Sequence, residues 1–430
     1  MTERISPANG IRGAVNVPGD KSISHRYAML ASIAEGGSKI FNYSMGADCQ
    51  STLACMQALG VRAQFAEEHG RRILMVHGRG LDGLETPAGA LDAGNSGSTI
   101  RMLSGILAAQ PFPTRISGDE SLNQRPMRRI IAPLSRMGAR IEAARDEFPP
   151  LAIHGAQLQA IDYEMPGASA QVKSCVLLAG LYAKGETTVR EPVTTRDHTE
   201  IALRELGAEI QIESRVARVR GGARLQGKPL VVPGDLSSAA FFLIAALMLP
   251  DSEVTIANVG LNPTRTALLD VLRGMGARIK VVHVEQINGE LIGTLEVKSS
   301  RIRGGSIEGA TTAAVIDEIP ILAVLGAISE NGLTVRNARE LRVKETDRIQ
   351  TIAQNLQRMR ITHTTREDGL EIPGKQRFRA AGIHSCGDHR IAMAFSIAAL
   401  ASDGECTIED AGAAAVSFPG FYDTLRQLTR

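Results

Sequence analysis

The chain is expected to fold as an α+β protein of two domains, each holding three copies of one strand–helix–strand–helix–strand–strand unit. Three observations predict this. Val17-Pro18-Gly19-Asp20-Lys21-Ser22 returns as Val232-Pro233-Gly234-Asp235-Leu236-Ser237, and an apolar helical run follows each copy. Turn chemistry alone would account for Pro-Gly-Asp but not for the matching helix behind it. Six segments join a small polar cluster to an apolar helical pattern, a turn and a short β-type stretch. Finally, 430 residues exceed one ordinary core, so two domains of roughly 200 residues are expected.

The repeats begin near Ser22, Gly97, Ser169, Ser237, Thr311 and Asp388. Alternating strands and helices put the helices against mixed sheets, with right-handed crossovers where strands run parallel. Similar strands follow the first helix of three repeats, as in Gly185-Glu186-Thr187-Thr188-Val189, Gly332-Leu333-Thr334-Val335 and Gly404-Glu405-Cys406-Thr407-Ile408. A second helix then ends in Leu59-Gly60, Met137-Gly138, Leu206-Gly207 or Met275-Gly276, where glycine suits a left-handed terminator. The fifth repeat has Met359-Arg360 instead. The sixth stops after the helix over Phe421–Leu428, and the alternating residues 11–17 are expected to supply a missing strand. One domain is therefore expected over residues 19–234 and the other over 1–18 plus 235–430. Both linkers then fall at the Pro-Gly-Asp motifs. That is a hinge arrangement, with the interdomain cleft as the favoured ligand site.

Composition removes several function classes. A net charge of +2 gives no bulk field for nucleic acid or an anionic membrane. The chain has no tryptophan and only 3% aromatic residues, a poor base-stacking surface. Five cysteines without a C-x-x-C pair fit a reducing cytoplasm better than a disulfide framework or structural zinc. The N-terminus shows no apolar signal segment, and the longest apolar run, residues 239–249, is too short to span a bilayer.

The charged motifs cluster at helix starts. Asp20-Lys21-Ser22-Ile23-Ser24-His25-Arg26 opens a helix whose first amides and dipole favour an anion, with Lys21 and Arg26 adding full charges. Asp92-Ala93-Gly94-Asn95-Ser96-Gly97 is a second glycine-rich helix start, without the spacing of a nucleotide loop. Arg125 precedes Pro126, which is expected to fix a helix start. Ser169 and Gln171 open the third inner helix, and Arg196 precedes the helix after it; capping explains Ser169, Thr195 and Asp197 equally well. The fourth start, Leu236-Ser237-Ser238, reads as structural. Asp317 and Glu318 lie inside an apolar helical run, where carboxylates are costly unless paired or used. Lys344 and Arg348, four apart, are expected on one helical face with Glu345 beside them. Gly387-Asp388-His389-Arg390 heads the sixth inner helix, and His389 lies in no metal-binding motif. Each motif alone also fits a capped or salt-bridged solvated helix.

In series, however, Lys-Ser-x-Ser-x-Arg, Gly-Asn-Ser-Gly-x-x-x-Arg, Arg-Pro, Ser-x-Gln, Asp-Glu-Ile-Pro, Lys-Glu-Thr-Asp-Arg and Gly-Asp-His-Arg closely resemble the 5-enolpyruvylshikimate-3-phosphate synthase family over the whole chain. The resemblance implies the enolpyruvyl transferase fold, two domains of three βαβαββ units each about a pseudo-threefold axis. It implies transfer of the enolpyruvyl group of phosphoenolpyruvate to the 5-hydroxyl of shikimate 3-phosphate, without metal or cofactor, in a cytoplasmic monomer. Carried over, Lys21, Ser22, Arg26, Ser169, Gln171, Arg196, Asp317 and Lys344 would bind shikimate 3-phosphate. Lys21, Gly97, Arg125, Gln171, Arg348 and Arg390 would hold phosphoenolpyruvate. Asp317 and Glu345 would be the proton-transfer pair, with Lys21 sharing that work. Glyphosate, which occupies the phosphoenolpyruvate site in this family, should compete.

Three departures stand out. Residues 94–102 differ from the commoner Gly-Asn-Ala-Gly-Thr-Ala-Met-Arg-Pro, Val416 stands in the region where many members have a lysine, and Ser169-Ala170-Gln171 lacks a serine of Ser-Ser-Gln. They are similar to the subgroup called class II. The related UDP-N-acetylglucosamine enolpyruvyl transferases carry a reactive cysteine before their Arg-Pro, and residues 118–125 have none. RNA 3′-phosphate cyclases need a nucleotide-linked histidine, a role for which the helix-capping context of His389 is poor. A non-enzymatic anion binder would need the cations but not Asp317 and Glu345 together.

Overall fold

The computed structural model describes residues 1–68 and 70–429. The chain divides into two compact domains. Domain I comprises Gly19–Val232 with Gln286–Glu290, and domain II comprises Met1–Pro18, Pro233–Glu285 and Leu291–Arg430. Two of the crossings therefore fall inside the two Val-Pro-Gly-Asp copies. Residues 286–290, which the sequence assigned with the C-terminal segment, cluster with domain I. There the Val231 amide donates to Asn288 Oδ1 at 2.8 Å, and His198 Nδ1 lies 2.7 Å from Glu290 Oε1.

Each repeat builds one small mixed sheet. In the second, Leu91–Asp92 runs parallel to Pro113–Ser117, which pairs antiparallel with Phe148–His154 and, through it, with Arg140–Ala144. The third repeats this order with Asp162–Glu164, Glu186–Arg190, Val216–Arg220 and Ile210–Glu213. The fifth does so with Gly305–Ile307, Leu333–Val335, Gly369–Ile372 and Thr364–Arg366.

The first and fourth repeats exchange a strand. Arg12–Val15 leads into the helix Lys21–Ser32 of domain I, yet it pairs with Glu253–Gly260 in domain II. Pro229–Val231 leads into the helix Leu236–Met248 of domain II, yet it pairs with Gly37–Phe41 in domain I. Residues 11–17 were expected to complete the sixth repeat and instead join the fourth. The sixth is completed by Glu3–Ile5, antiparallel to Cys406–Glu409. Alternation specifies which face of a strand is buried; it does not name the partner strand.

The inner helices of domain II are apolar on almost all sides, which suits the centre of a domain. Leu236–Met248, Ile319–Ile328 and His389–Leu400 pack on one another in domain II. In domain I, Gly97–Leu107 packs on both Lys21–Ser32 and Ala170–Gly180. Gly105 permits close approach there, because a Cβ on it would sit 2.2 Å from the Cys175 carbonyl oxygen. The fifth inner helix is broken, contrary to the continuous run expected. A short helix over Ala310–Ala314 ends before Asp317, and a new helix begins at Ile319. Pro320 has no amide hydrogen, so it suits a first turn and not a helix interior. The four expected glycine terminators have positive φ: Gly60 88°, Gly138 110°, Gly207 94° and Gly276 98°. Arg360 takes the same left-handed role at φ 60°.

Candidate active site

Domain I carries one cluster. Asp20 caps the helix Lys21–Ser32, its Oδ1 accepting the Ile23 amide at 2.9 Å, so Lys21 and Ser22 stand in the first turn. The Lys21 ammonium pairs with Asp48. Ser22 Oγ lies 3.5 Å from Arg196 Nη1, bringing two expected binding residues together. Arg26 is buried, and its guanidinium donates to the Ser22 carbonyl at 2.8 Å, Ser174 Oγ at 2.8 Å and Thr199 Oγ1 at 2.7 Å. It thereby ties the first-helix start to the segment carrying Arg196. Lys173 holds the same segment from the third helix, pairing with Glu191 at 3.0 Å and Glu200 at 2.7 Å.

Gln171 follows Ser169, whose Oγ caps the helix by accepting the Val172 amide at 3.3 Å. Arg101 donates to Gln171 Oε1 at 2.8 Å, and Gln171 Nε2 donates to Ser98 Oγ at 2.9 Å. Gly97 opens that second helix, where a Cβ would sit 2.7 Å from Arg101 Nη1. The glycine therefore leaves the arginine room to reach Gln171. Arg125 Nη2 donates to Asn95 Oδ1 at 2.7 Å and Ser121 Oγ at 3.1 Å. The helix after it starts at Arg128, two residues beyond the expected Pro126 start, with Met127 as its cap.

Domain II carries the second cluster. Asp317 lies in the helix break and meets three cations: Lys344 Nζ at 3.5 Å, Arg348 Nη1 at 3.7 Å and Arg390 Nη2 at 4.0 Å. Glu345 pairs with Arg348 at 2.6 Å. Lys344 and Arg348 do not share a helix as expected. Lys344 ends the 3-10 turn Arg339–Val343, and Arg348 begins the helix Arg348–Arg358 after Asp347 caps it. Asp347 Oδ1 accepts the Gln350 amide at 3.0 Å, and an N-cap of this kind starts a helix afresh. Asp388 caps the sixth inner helix and accepts the Arg390 amide at 2.9 Å.

Burial and charge set the electrostatics. Arg348 is buried, which would lower its pKa, but Asp388, Glu345 and Asp317 hold it above its ordinary value. Burial would raise Asp388; Arg348 outweighs that and keeps it below the usual carboxylate range. Burial, with Lys21 adding to it, depresses the His25 imidazole to about 3. His25 Nδ1 lies 2.6 Å from Thr52 Oγ1, which lies 2.7 Å from Thr99 Oγ1 in the second inner helix. Burial also brings Arg26 down to about 10, against the pull of Glu200.

Two site-forming residues escaped the sequence reading. Arg101 sat inside a quoted motif, four residues from Gly97, and that helical spacing was the usable signal. Arg265 had none, because its partners Ser237 and Glu318 are remote in sequence. The fourth helix start is accordingly less bland than Leu236 suggested.

Known proteins resemble this chain over its whole length. A family model described as EPSP synthase (3-phosphoshikimate 1-carboxyvinyltransferase) matches residues 5–425. A 3-phosphoshikimate 1-carboxyvinyltransferase from Solibacter usitatus is 62% identical over 428 residues, covering 100% of both chains. One from Koribacter versatilis is 49% identical over 425 residues, covering 99% of this chain and 98% of the relative. An EPSP synthase structure from Acinetobacter baumannii superposes with a TM-score of 0.88 at 42% identity, covering 99% of this chain and 98% of that one. The enolpyruvyl transferase NikO from Streptomyces tendae, at TM-score 0.80 and 19% identity, shares the fold. With its motifs, its repeats and these relatives in agreement, the chain belongs to the EPSP synthase (3-phosphoshikimate 1-carboxyvinyltransferase) family.

Proposed function

We propose that the two clusters act on one pair of substrates and carry out the family reaction. The enolpyruvyl group of phosphoenolpyruvate passes to the 5-hydroxyl of shikimate 3-phosphate, and inorganic phosphate leaves. The observation that carries this reading is the Asp317 carboxylate with Lys344, Arg348 and Arg390 at 3.5, 3.7 and 4.0 Å, and Glu345 on the other terminal nitrogen of Arg348 at 2.6 Å. A plain anion-binding site would gain nothing from two carboxylates among its cations.

In this reading Lys21, Ser22, Arg26, Ser169, Gln171, Arg196 and Lys344 orient shikimate 3-phosphate, and Asp317 engages its hydroxyls. Lys21, Gly97, Arg125, Gln171, Arg348 and Arg390 hold phosphoenolpyruvate. Asp317 takes the proton of the 5-hydroxyl as its oxygen attacks C2 of phosphoenolpyruvate. Glu345 delivers a proton to the methylene carbon, giving a tetrahedral intermediate. Glu345 then removes a proton from the resulting methyl group as the C2–O bond to phosphate breaks, which restores its acid form, and the proton held by Asp317 passes to the departing phosphate. Lys21 assists these transfers. The fixed cations stabilise charge on both phosphates without reorganising during the reaction. Lys21 and Ser22 are supported as anion ligands by the helix first turn they share, which Arg26 braces from the second turn through the Ser22 carbonyl.

The enzyme is read as a cytoplasmic monomer. Five free cysteines, four of them buried, suit a reducing compartment, and among the described residues no helix is long and apolar enough to cross a membrane. The deciding experiment supplies phosphoenolpyruvate with shikimate 3-phosphate and follows phosphate release. Release is expected, with glyphosate competing against phosphoenolpyruvate. Release only with UDP-N-acetylglucosamine as acceptor would overturn the reading.

A further inference from the structure

The second Pro-Gly-Asp copy has Leu236 where the first has Lys21, yet a cation still stands at its helix start. It is Arg265, buried at 7% exposure and supplied by the turn after Glu253–Gly260. Arg265 Nη2 donates to Ser237 Oγ, and the Ser237 hydroxyl donates to Glu318 Oε1. The same Nη2 lies 3.9 Å from Glu318 Oε1 and 4.0 Å from Asp235 Oδ1. Glu318, 3% exposed, also lies 3.5 Å from Arg390 Nη1. That Nη1 donates to the Asp317 carbonyl oxygen at 2.8 Å.

One buried carboxylate therefore joins the starts of three inner helices. It touches Ser237 on the fourth, belongs to the fifth, and meets Arg390 on the sixth. A guanidinium is a rigid planar fork, so fixing one nitrogen sets the direction of the others. Glu318 and the Asp317 carbonyl fix Nη1 and leave Nη2 turned toward the Asp317 carboxylate at 4.0 Å. Arg265, through Ser237, holds the Glu318 carboxylate where it can do this.

We infer that Glu318 is a positioning residue that aims Arg390, and that Arg265 and Ser237 are the relay that aims Glu318. The inference rests on the reading that Arg390 holds phosphoenolpyruvate. It adds a specificity device for one substrate alone, built from residues that touch neither.

The test is steady-state kinetics on the full-length enzyme with each substrate varied separately. Glu318→Gln keeps the size of the side chain and an acceptor for Ser237 but loses the charge beside Arg390. The KM for phosphoenolpyruvate should rise at least about 10-fold, as expected when a largely buried cation loses its ion-pair partner, while the KM for shikimate 3-phosphate stays unchanged. Arg265→Met should shift the same constant, and the double variant should be no worse than the poorer single one, because both act through one contact. If Glu318→Gln fails to fold, Ser237→Ala cuts the relay with all charges kept and should still raise the KM for phosphoenolpyruvate selectively. Equal changes in both KM values, or a lowered melting temperature with both KM values unchanged, would overturn the inference. Arg390→Ala is the reference. If it leaves the KM for phosphoenolpyruvate unchanged, the assignment of Arg390 falls; if it raises that KM and Glu318→Gln does not, only the positioning role falls.

Discussion

Arg348 Nε donates to Asp388 Oδ2 at 2.8 Å, with the two side chains 1% and 0% exposed. The pair joins the start of the helix Arg348–Arg358 to the start of His389–Leu400, and so fixes Arg348 relative to Arg390. Removing one charge strands the other in the core. Asp388→Asn keeps a capping oxygen but leaves Arg348 short of its strongest partner. It should cost about 3 kcal/mol in urea unfolding and raise the KM for phosphoenolpyruvate.

Lys21 and Leu236 occupy matching positions in the two Pro-Gly-Asp copies and should respond oppositely. Lys21 lies in the anion cluster, so Lys21→Ala should remove turnover with a small change in melting temperature. Leu236 is 2% exposed in the core of domain II. Leu236→Ala should cost about 2–4 kcal/mol and leave kcat nearly unchanged. Paired thermal melts and phosphate-release assays on the two variants check this; matching behaviour would refute the asymmetry.

His25 makes stability depend on pH. Its folded pKa is about 3, below the ordinary 6.5, so between those values the unfolded chain binds the extra proton. Stability contributed by the neutral ring is complete above about pH 6.5 and falls as pH drops toward 3, by up to about 1.4 kcal/mol per unit. Lys21 and Arg26 add to the penalty, while Asp48 and Asp20 oppose it. His25→Gln should flatten the denaturation midpoint against pH over this window. An unchanged slope would show that the ring is not the responsible group.

Arg360 adopts φ 60° where four other repeats use glycine. A left-handed residue with a Cβ costs roughly 1–2 kcal/mol, partly offset by the greater unfolded freedom of glycine. Arg360→Gly should therefore raise stability by about 1 kcal/mol at unchanged activity, read from the chemical-denaturation midpoint.

Much of this protein was legible locally. The helix starts at Asp20, Ser96, Ser169 and Asp388 follow from side chains that cap their own first turns, within two or three residues. The glycine terminators and the apolar inner helices follow the same short-range rules. The repeat itself is visible because duplicated residues are printed twice in the chain.

What the sequence alone determined is thus the repeated unit, its helix starts, and the charged residues stationed at them, because capping and helical period act between near neighbours. Tertiary structure decided which partners those residues meet. It exchanged Arg12–Val15 and Pro229–Val231 between the two domains' sheets, broke the fifth inner helix over residues 315–318, where Asp317 lies, and brought Lys344 and Arg348 to one carboxylate from separate elements. It also placed Arg265 against Glu318, which lies far along the chain from it. Strand partners and buried ion pairs form across long stretches of chain, where no local period marks them; burial then makes the right partner obligatory.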